Sequence, residues 1–166
     1  MPTILRLATI SDLPLIKYWD KKPYIIFASG EDADVVNNDW IDKQLRNPSK
    51  FVQVYIAELD SREIGMVQVC DPANEETHYW SKIGQGLRAI DIWLGEENDL
   101  GKGYGTTVMN LIIAKCFEDS SVKAIIIDPL VINNRAIRFY KRLGFKFVEN
   151  KYFEKDYCAV YRLDRC

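Results

Sequence analysis

Histidine is nearly absent from this chain: His78 is the single copy in 166 residues. A Ser-His-Asp triad anchored elsewhere, or a metal site built on several imidazoles, is therefore not expected, and no metal is assigned. A basic excess is lacking too. Lysine and arginine number 22 against 24 aspartates and glutamates, a net charge of −2. That leaves no surplus to hold a polyanion and argues against nucleic acid as a partner. The four cysteines (Cys70, Cys116, Cys158, Cys166) lie far apart. They form no ligand pair or close framework, so free thiols in a reducing cytoplasm are the simplest expectation. No apolar run approaches the roughly 20 residues of a membrane span. Residues 1–8 carry no basic segment followed by a long apolar one, so neither a membrane partner nor a signal peptide is expected. Repeats and low-complexity linkers are missing as well. What remains, 48% apolar and 28% charged residues, fits one globular domain over residues 1–166 with a sizeable core.

What is present concentrates in two stretches. The first runs Asn98-Asp99-Leu100-Gly101-Lys102-Gly103-Tyr104-Gly105-Thr106-Thr107 and leads into an apolar helical segment. Alternating glycines where a loop becomes a helix let backbone N–H groups turn outward, beside the unpaired first N–H groups of the helix. Such a cradle suits a phosphate or pyrophosphate. It is not a Walker loop, because Lys102 sits between glycines and no Gly-Lys-Ser/Thr follows. Nor is it the dinucleotide fingerprint, because Thr106 holds the third glycine's place. The second stretch runs from Asn133 to Phe145. Ala136 and Tyr140, four apart, share one helix face. A small residue there lets a ligand chain pass, and a tyrosine one turn later can bring a hydroxyl to its reactive end. The spacing alone suits a packing helix equally well.

The local patterns give the order β α α β β β α β α β β. Strands are expected over residues 4–8, 51–59, 63–70, 87–94, 123–127, 145–152 and 157–163. Helices are expected from Thr9 or Ser11 to Asp20, over 31–45, from Tyr104 to Glu118, and from Asn133 or Asn134 to Gly144. Lys21-Lys22-Pro23 is read as a break and Phe27-Ala28-Ser29 as loop. The early strands can form antiparallel hairpins. The segment from Leu87 to Lys123 demands a parallel crossover. The expected fold is therefore α/β (α+β mixed), a single domain with a mixed, mostly antiparallel central sheet and helices on both faces. Its ligand site should lie at the carboxyl end of the strand near Leu94.

With both stretches in hand, the chain resembles the GNAT superfamily of acetyl-CoA-dependent N-acetyltransferases. In that family a Gly-x-Gly-x-Gly-type loop holds the coenzyme's pyrophosphate. A later Asn-x-x-Ala-x-x-x-Tyr-x-x-x-Gly-Phe helix flanks its pantetheine. Asn133, Ala136, Tyr140, Gly144 and Phe145 match the second pattern. Leu100 stands where the family usually has Gln or Arg, so one side-chain contact of many relatives is missing. Within the superfamily the chain is most similar in appearance to aminoglycoside 6′-N-acetyltransferases. That likeness is dense from Leu87 to Phe145 and sparse elsewhere.

The resemblance implies acetyl transfer from acetyl-CoA, as co-substrate, to a primary amine by direct transfer in a ternary complex. It implies coenzyme-binding roles for Ile92, Trp93, Leu94, Leu100, Gly101, Lys102, Gly103, Tyr104, Gly105, Thr106, Asn133, Ala136, Phe139 and Tyr140. Asp91, late in its strand, is the candidate for holding the acceptor ammonium and taking its proton. A structural salt bridge, or a place on the solvent side, is the other reading of this residue. Tyr140 is the candidate acid for the departing thiolate. Asp128 is assigned to the acceptor, though Asp before Pro also caps turns. Tyr79 and Trp80 are candidates for the acceptor pocket, or else aromatics covering a hairpin. No cysteine has a basic partner readable nearby, which disfavours an acyl-cysteine route.

The acceptor itself is less legible. A polycationic sugar needs an acidic lining, yet Ser81, Lys82 and Ile83 follow Trp80 where acids are expected. Glu75 and Glu76, with Glu31, Asp32 and Asp34, are available to compensate. The small-molecule acceptor is expected to be an aminoglycoside 6′-amine or a similar polyamine. A protein N-terminus, a siderophore amine, or a CoA-binding domain without turnover are the alternatives. A monomer or a homodimer through the C-terminal hairpin both fit.

Overall fold

The computed structural model describes residues 2–30 and 39–166. The chain forms β1 (Thr3–Leu7), α1 (Leu13–Asp20), α2 (Pro23–Ser29), α3 (Asp39–Arg46), β2 (Val52–Leu59), β3 (Arg62–Cys70) and β4 (Leu87–Leu94). It continues through α4 (Tyr104–Phe117), β5 (Ala124–Ile127), α5 (Asn134–Arg142), β6 (Lys146–Phe153) and β7 (Asp156–Asp164). One seven-stranded sheet has the order β1-β2-β3-β4-β5-β7-β6. Every pairing is antiparallel except β4 with β5. This is the expected mixed sheet with one parallel crossover.

Two-residue turns set the hairpin registers. Asp60 and Ser61 both have positive φ, the mirror-image turn that matches strand twist, and they bring Leu59 opposite Arg62. Glu154 and Lys155 join β6 to β7, with Phe153 opposite Asp156.

Helices cover both faces. On one, α4 buries Val108, Met109, Ile112 and Cys116 against Ile64, Val67, Val69, Ile90 and Ile125, and α5 adds Tyr140. On the other, α1, α2 and α3 bury Leu13, Ile16, Trp19, Ile25 and Ile41 against Val54, Ile56 and Met66. At the β5–β7 end of that second face the loop after β3 is the cover, with Trp80 and Ile83 packed on Leu87, Ala89, Ile126 and Val160. Asp12 fastens α1 to the sheet. It is buried, takes two 2.8 Å hydrogen bonds from the Arg6 guanidinium, and accepts another from the Thr9 N–H. Arg6 holds the Asp12 carboxyl below the usual range.

Two expectations change. The segment read as break and loop is a helix: Pro23 opens α2 at its first turn, where a missing N–H costs nothing, and Gly30 closes it in the left-handed conformation. Of the helix expected over 31–45, residues 31–38 lie outside the described part, including Glu31, Asp32 and Asp34; α3 accounts for the remainder.

The feature that matters most for function is a seam in the sheet. The ladder between β4 and β5 spans only Leu87, Arg88 and Ala89, paired to Ala124, Ile125 and Ile126. Residues 90–94 continue with β3 alone. β5 meanwhile stops at Ile127, before Asp128-Pro129.

Candidate active site

Four structures converge on the seam. The first is the glycine loop. Gly101 and Gly103 have φ of +77° and +82°, values that a Cβ disfavours. Around the position a Cβ would take on Gly103 there is nothing within 4 Å. The first helical bond of α4 runs from the Thr107 N–H to the Gly103 carbonyl. The N–H groups of Tyr104, Gly105 and Thr106 thus have no acceptor within the helix. Lys102 is exposed on the loop, and Phe139 of α5 packs 3.5 Å from the Cβ position of Gly105.

Two residues outside the sequence-based set support this loop. Asp99, buried just before it, receives two 2.9 Å hydrogen bonds from Arg62 at the start of β3. Arg135 brings a guanidinium nitrogen to 4.0 Å from the Cβ position of Gly101. The region therefore presents outward N–H groups, a helix N-terminus and two cations, a set that fits a coenzyme's phosphates.

The second structure is α5. Asn133 caps it, accepting from the Ala136 N–H at 3.2 Å. Asn133, Ala136 and Tyr140 line a cleft of ≈190 Å³ together with Ile92, Trp93 and Pro129. Ile92 and Trp93 are neighbours on a strand and point to opposite faces. Both reach the cleft, so the cleft passes through the sheet at the seam. Its far wall comes from Asp20 and from Ile25, Ala28 and Ser29 of α2. Leu94 is buried and its carbonyl accepts from the Tyr24 hydroxyl at 2.9 Å, which ties α2 to the end of β4.

The third is a group of carboxylates. Asp91 is exposed to solvent on β4, yet the protein mass around it raises its pKa. No salt bridge engages it among the described residues. Asp128, half-buried at the end of β5, is raised by burial and then by the charge of Asp91. Asp156, at the start of β7, adds its charge to Asp128. The sequence carries no signal for Asp156 beyond its place in a turn. Its carboxylate also lies against Gly30, with an oxygen 2.7 Å from where a Cβ would stand, so the hairpin tip meets the end of α2. Tyr140 is buried, and its phenol is raised by burial and then by Asp91 and Asp128. It stays a neutral proton donor at physiological pH.

The fourth is the loop between β3 and β4. Tyr79 donates from its hydroxyl to Asp128 Oδ2 at 2.5 Å and stacks on Phe153. Trp80 does not face the cleft. It is 5% exposed and packs edge-on against Tyr79 and Phe153 as a core aromatic. Glu75 and Glu76 do not line the cleft. Glu75 is 4% exposed with both oxygens engaged by Thr77 and Tyr79, and Glu76 accepts from Ser49. A larger depression of ≈430 Å³ lies over the β5–β7–β6 end. Lys82, Lys123, Lys151 and Arg162 ring it against one acid, Glu149, which repels a cationic acceptor. The seam is the place where acid, donor and anion cradle meet.

Among the described residues no helix is long and apolar enough to cross a membrane. A sequence profile of the acetyltransferase (GNAT) domain matches residues 9–153. The aminoglycoside N(6′)-acetyltransferase type 1 of Klebsiella pneumoniae is 32% identical over 146 residues, spanning 86% of this chain and 73% of that protein. A kanamycin resistance protein of Rhizobium radiobacter is 37% identical over 73 residues, spanning 43% of this chain and 68% of that protein. The structure of AAC(6′)-Ib in complex with ribostamycin and coenzyme A superposes with a TM-score of 0.88 at 28% identity, covering 99% of this chain and 94% of that one. The domain profile, the extent of the identity and the shared fold agree: the chain belongs to the acetyltransferase (GNAT) family.

Proposed function

We propose that the chain transfers an acetyl group from acetyl-CoA to the 6′-amine of an aminoglycoside, directly and in a ternary complex. The observation that carries this reading is that Asp91 and Asp156 act by their charge on Asp128, and Asp91 and Asp128 on the Tyr140 phenol that lines the cleft. A polycationic amino sugar is the acceptor that such a lining attracts. Structures of AAC(6′)-Ib with coenzyme A and kanamycin, 27% identical to this chain with a TM-score of 0.85, support it.

Bound acetyl-CoA supplies the acetyl group as a thioester. The glycine loop, with Leu100, Gly101, Lys102 and Gly103, and the first turn of α4, Tyr104, Gly105 and Thr106, hold the phosphates, with Arg135 alongside. Ile92 turns its main-chain groups to the side that β5 leaves open, Leu94 offers its N–H there while its carbonyl stays with Tyr24, and Trp93 lines the cleft. Asn133, Ala136 and Phe139 flank the arm that reaches Tyr140. An amine is mostly protonated at pH 7 and must lose a proton to attack. Asp128 and Asp156 hold the ammonium groups, and Asp91 accepts the proton, directly or through one water. A base raised toward neutrality matches that task. Tyr140, neutral at working pH, gives its proton to the sulfur as the nitrogen–carbon bond forms and the carbon–sulfur bond breaks, and the second proton shed by the new amide nitrogen returns the phenolate to its neutral form.

Free thiol release with a panel of amines tests the proposal. Kanamycin and other sugars bearing a 6′-amine are expected to release thiol. Peptides with a free N-terminus and hydroxylysine-type amines are not. Release with peptides alone, or with no amine at all, overturns the assignment.

A further inference from the structure

Tyr79 reaches Asp128 from a loop whose shape is unusually determined. The buried carboxylate of Glu75 sits at its centre. One Glu75 oxygen accepts from the Thr77 N–H at 2.8 Å and the Thr77 hydroxyl at 2.6 Å; the other accepts from the Tyr79 N–H at 3.0 Å. His78 and Ser81, on either side of the Tyr79-Trp80 pair, have φ of +53° and +58°. Non-glycine residues keep that conformation only where their surroundings over-determine it. The Tyr79 ring lies parallel to Phe153 at 4.7 Å and 7°, and Trp80 closes the group edge-on at 4.9 Å from Phe153. Ring and backbone are thus both fixed before the phenol meets Asp128.

We propose that Tyr79 is a positioning residue for the acceptor carboxylate: its phenol, set in place by the loop wound on Glu75 and by the Phe153 stack, clamps Asp128 in the orientation in which it meets the acceptor ammonium. This rests on the reading of Asp128 as an acceptor-holding group. The groups that face Asp128 make the clamp consequential. Asp91 on β4, Asp156 and Cys158 on β7, Cys70 on β3 and Tyr140 on α5 all act electrostatically on Asp128 or with it. None of these is a cation. Against this crowd, the Tyr79 hydroxyl and the main-chain N–H of Asp128 are the donors that favour the ionised carboxylate. Burial and the Asp128 charge raise the Tyr79 phenol, so it remains a donor throughout the working range. Removing the hydroxyl alone shifts Asp128 further toward its neutral form and frees its side chain to rotate.

The test is Tyr79→Phe, which keeps the stacked ring. Aspartate-selective carbon-13 labelling follows each carboxyl through a pH titration of the full chain, with Asp128→Asn assigning the Asp128 signal. The Asp128 midpoint is expected to rise by about one pH unit, the scale of one lost hydrogen bond to a charged carboxylate. In kinetics, the acidic limb of kcat/KM for kanamycin moves up with it. KM for kanamycin rises more than kcat falls, and KM for acetyl-CoA stays constant. Glu75→Gln, which disturbs the loop and leaves the phenol in place, is expected to move the midpoint the same way by less. An unmoved midpoint in Tyr79→Phe overturns the clamp, as does a kanamycin effect that is equal at every pH. Should the wild-type chain acetylate no amino sugar, the proposed function falls while the titration still decides the role of Tyr79.

Discussion

Gly103→Ala separates the cradle from the fold that carries it. The Cβ position at Gly103 has no atom within 4 Å, so an added methyl group meets no protein. Its intrinsic penalty is the left-handed backbone at φ +82°, about 1–2 kcal/mol for a non-glycine residue. A domain of this size loses about 2–4 °C of Tm per kcal/mol. A fall of about 2–8 °C is therefore the expected thermal signature. Coenzyme affinity should fall by a separate amount. If the outward N–H groups hold phosphate oxygens, a methyl group in that open volume displaces at least one charge-assisted bond, each worth about 1.5–3 kcal/mol. The Kd for coenzyme A then rises about tenfold to a hundredfold. Calorimetric titration with coenzyme A reads the second quantity and differential scanning the first. Gly84→Ala is the control: its Cβ position is equally open and its φ is not positive. A Gly103→Ala protein with the expected loss of Tm and a Kd within about twofold of the wild type refutes the cradle, because the open volume would then hold nothing.

Three further outcomes are expected. Tyr140→Phe lowers kcat and leaves acetyl-CoA affinity nearly unchanged, since the buried ring still packs; equal activity of variant and wild type from about pH 6 to pH 9 removes the phenol from the reaction. Asp91 and Asp128 both hold protons more tightly folded than unfolded, so their stabilising contribution is full below about pH 4 and is lost as the pH rises through the raised values. Asp128→Asn should therefore raise Tm over wild type more at pH 8 than at pH 5, and an equal gain at both argues against carboxylate crowding. Arg62→Ala strips the partner from Asp99, which is 4% exposed. Because Arg62 is itself half exposed, the cost is about 1–2 kcal/mol in urea unfolding. It should be joined by weaker coenzyme binding, and unaltered binding would mean that the Asp99 anchor does not set the loop.

The legible parts of this protein are those written in short windows. The glycine loop, the Asn133-to-Phe145 helix and the parallel crossover each declare themselves within a few turns of chain, and Asn133 and Gly144 mark the ends of α5 by simple capping chemistry. Contacts across the fold are not legible in this way. Tyr79 and Asp128 are 49 residues apart and Arg62 and Asp99 are 37 apart, and no periodicity joins them. Asp156 reaches the carboxylate group only because β7 inserts between β5 and β6, an order that local patterns leave open. Glu75 reads as available to a ligand because a glutamate in a polar loop is usually solvated; here the loop folds around it. Pro23 reads as a stop because proline ends one helix and opens the next with the same locked φ.

The unzipped stretch of β4 has a consequence for the life of the protein in a cell. A sheet interrupted at its middle is normally a weakness, and here the missing cross-links are ones that a bound pantetheine amide chain can supply. Occupancy then reinforces the architecture by mass action, about 2.7 kcal/mol at a hundredfold excess over Kd. Starvation for the acyl donor would slow turnover and, in the same stroke, shorten the survival of the enzyme itself.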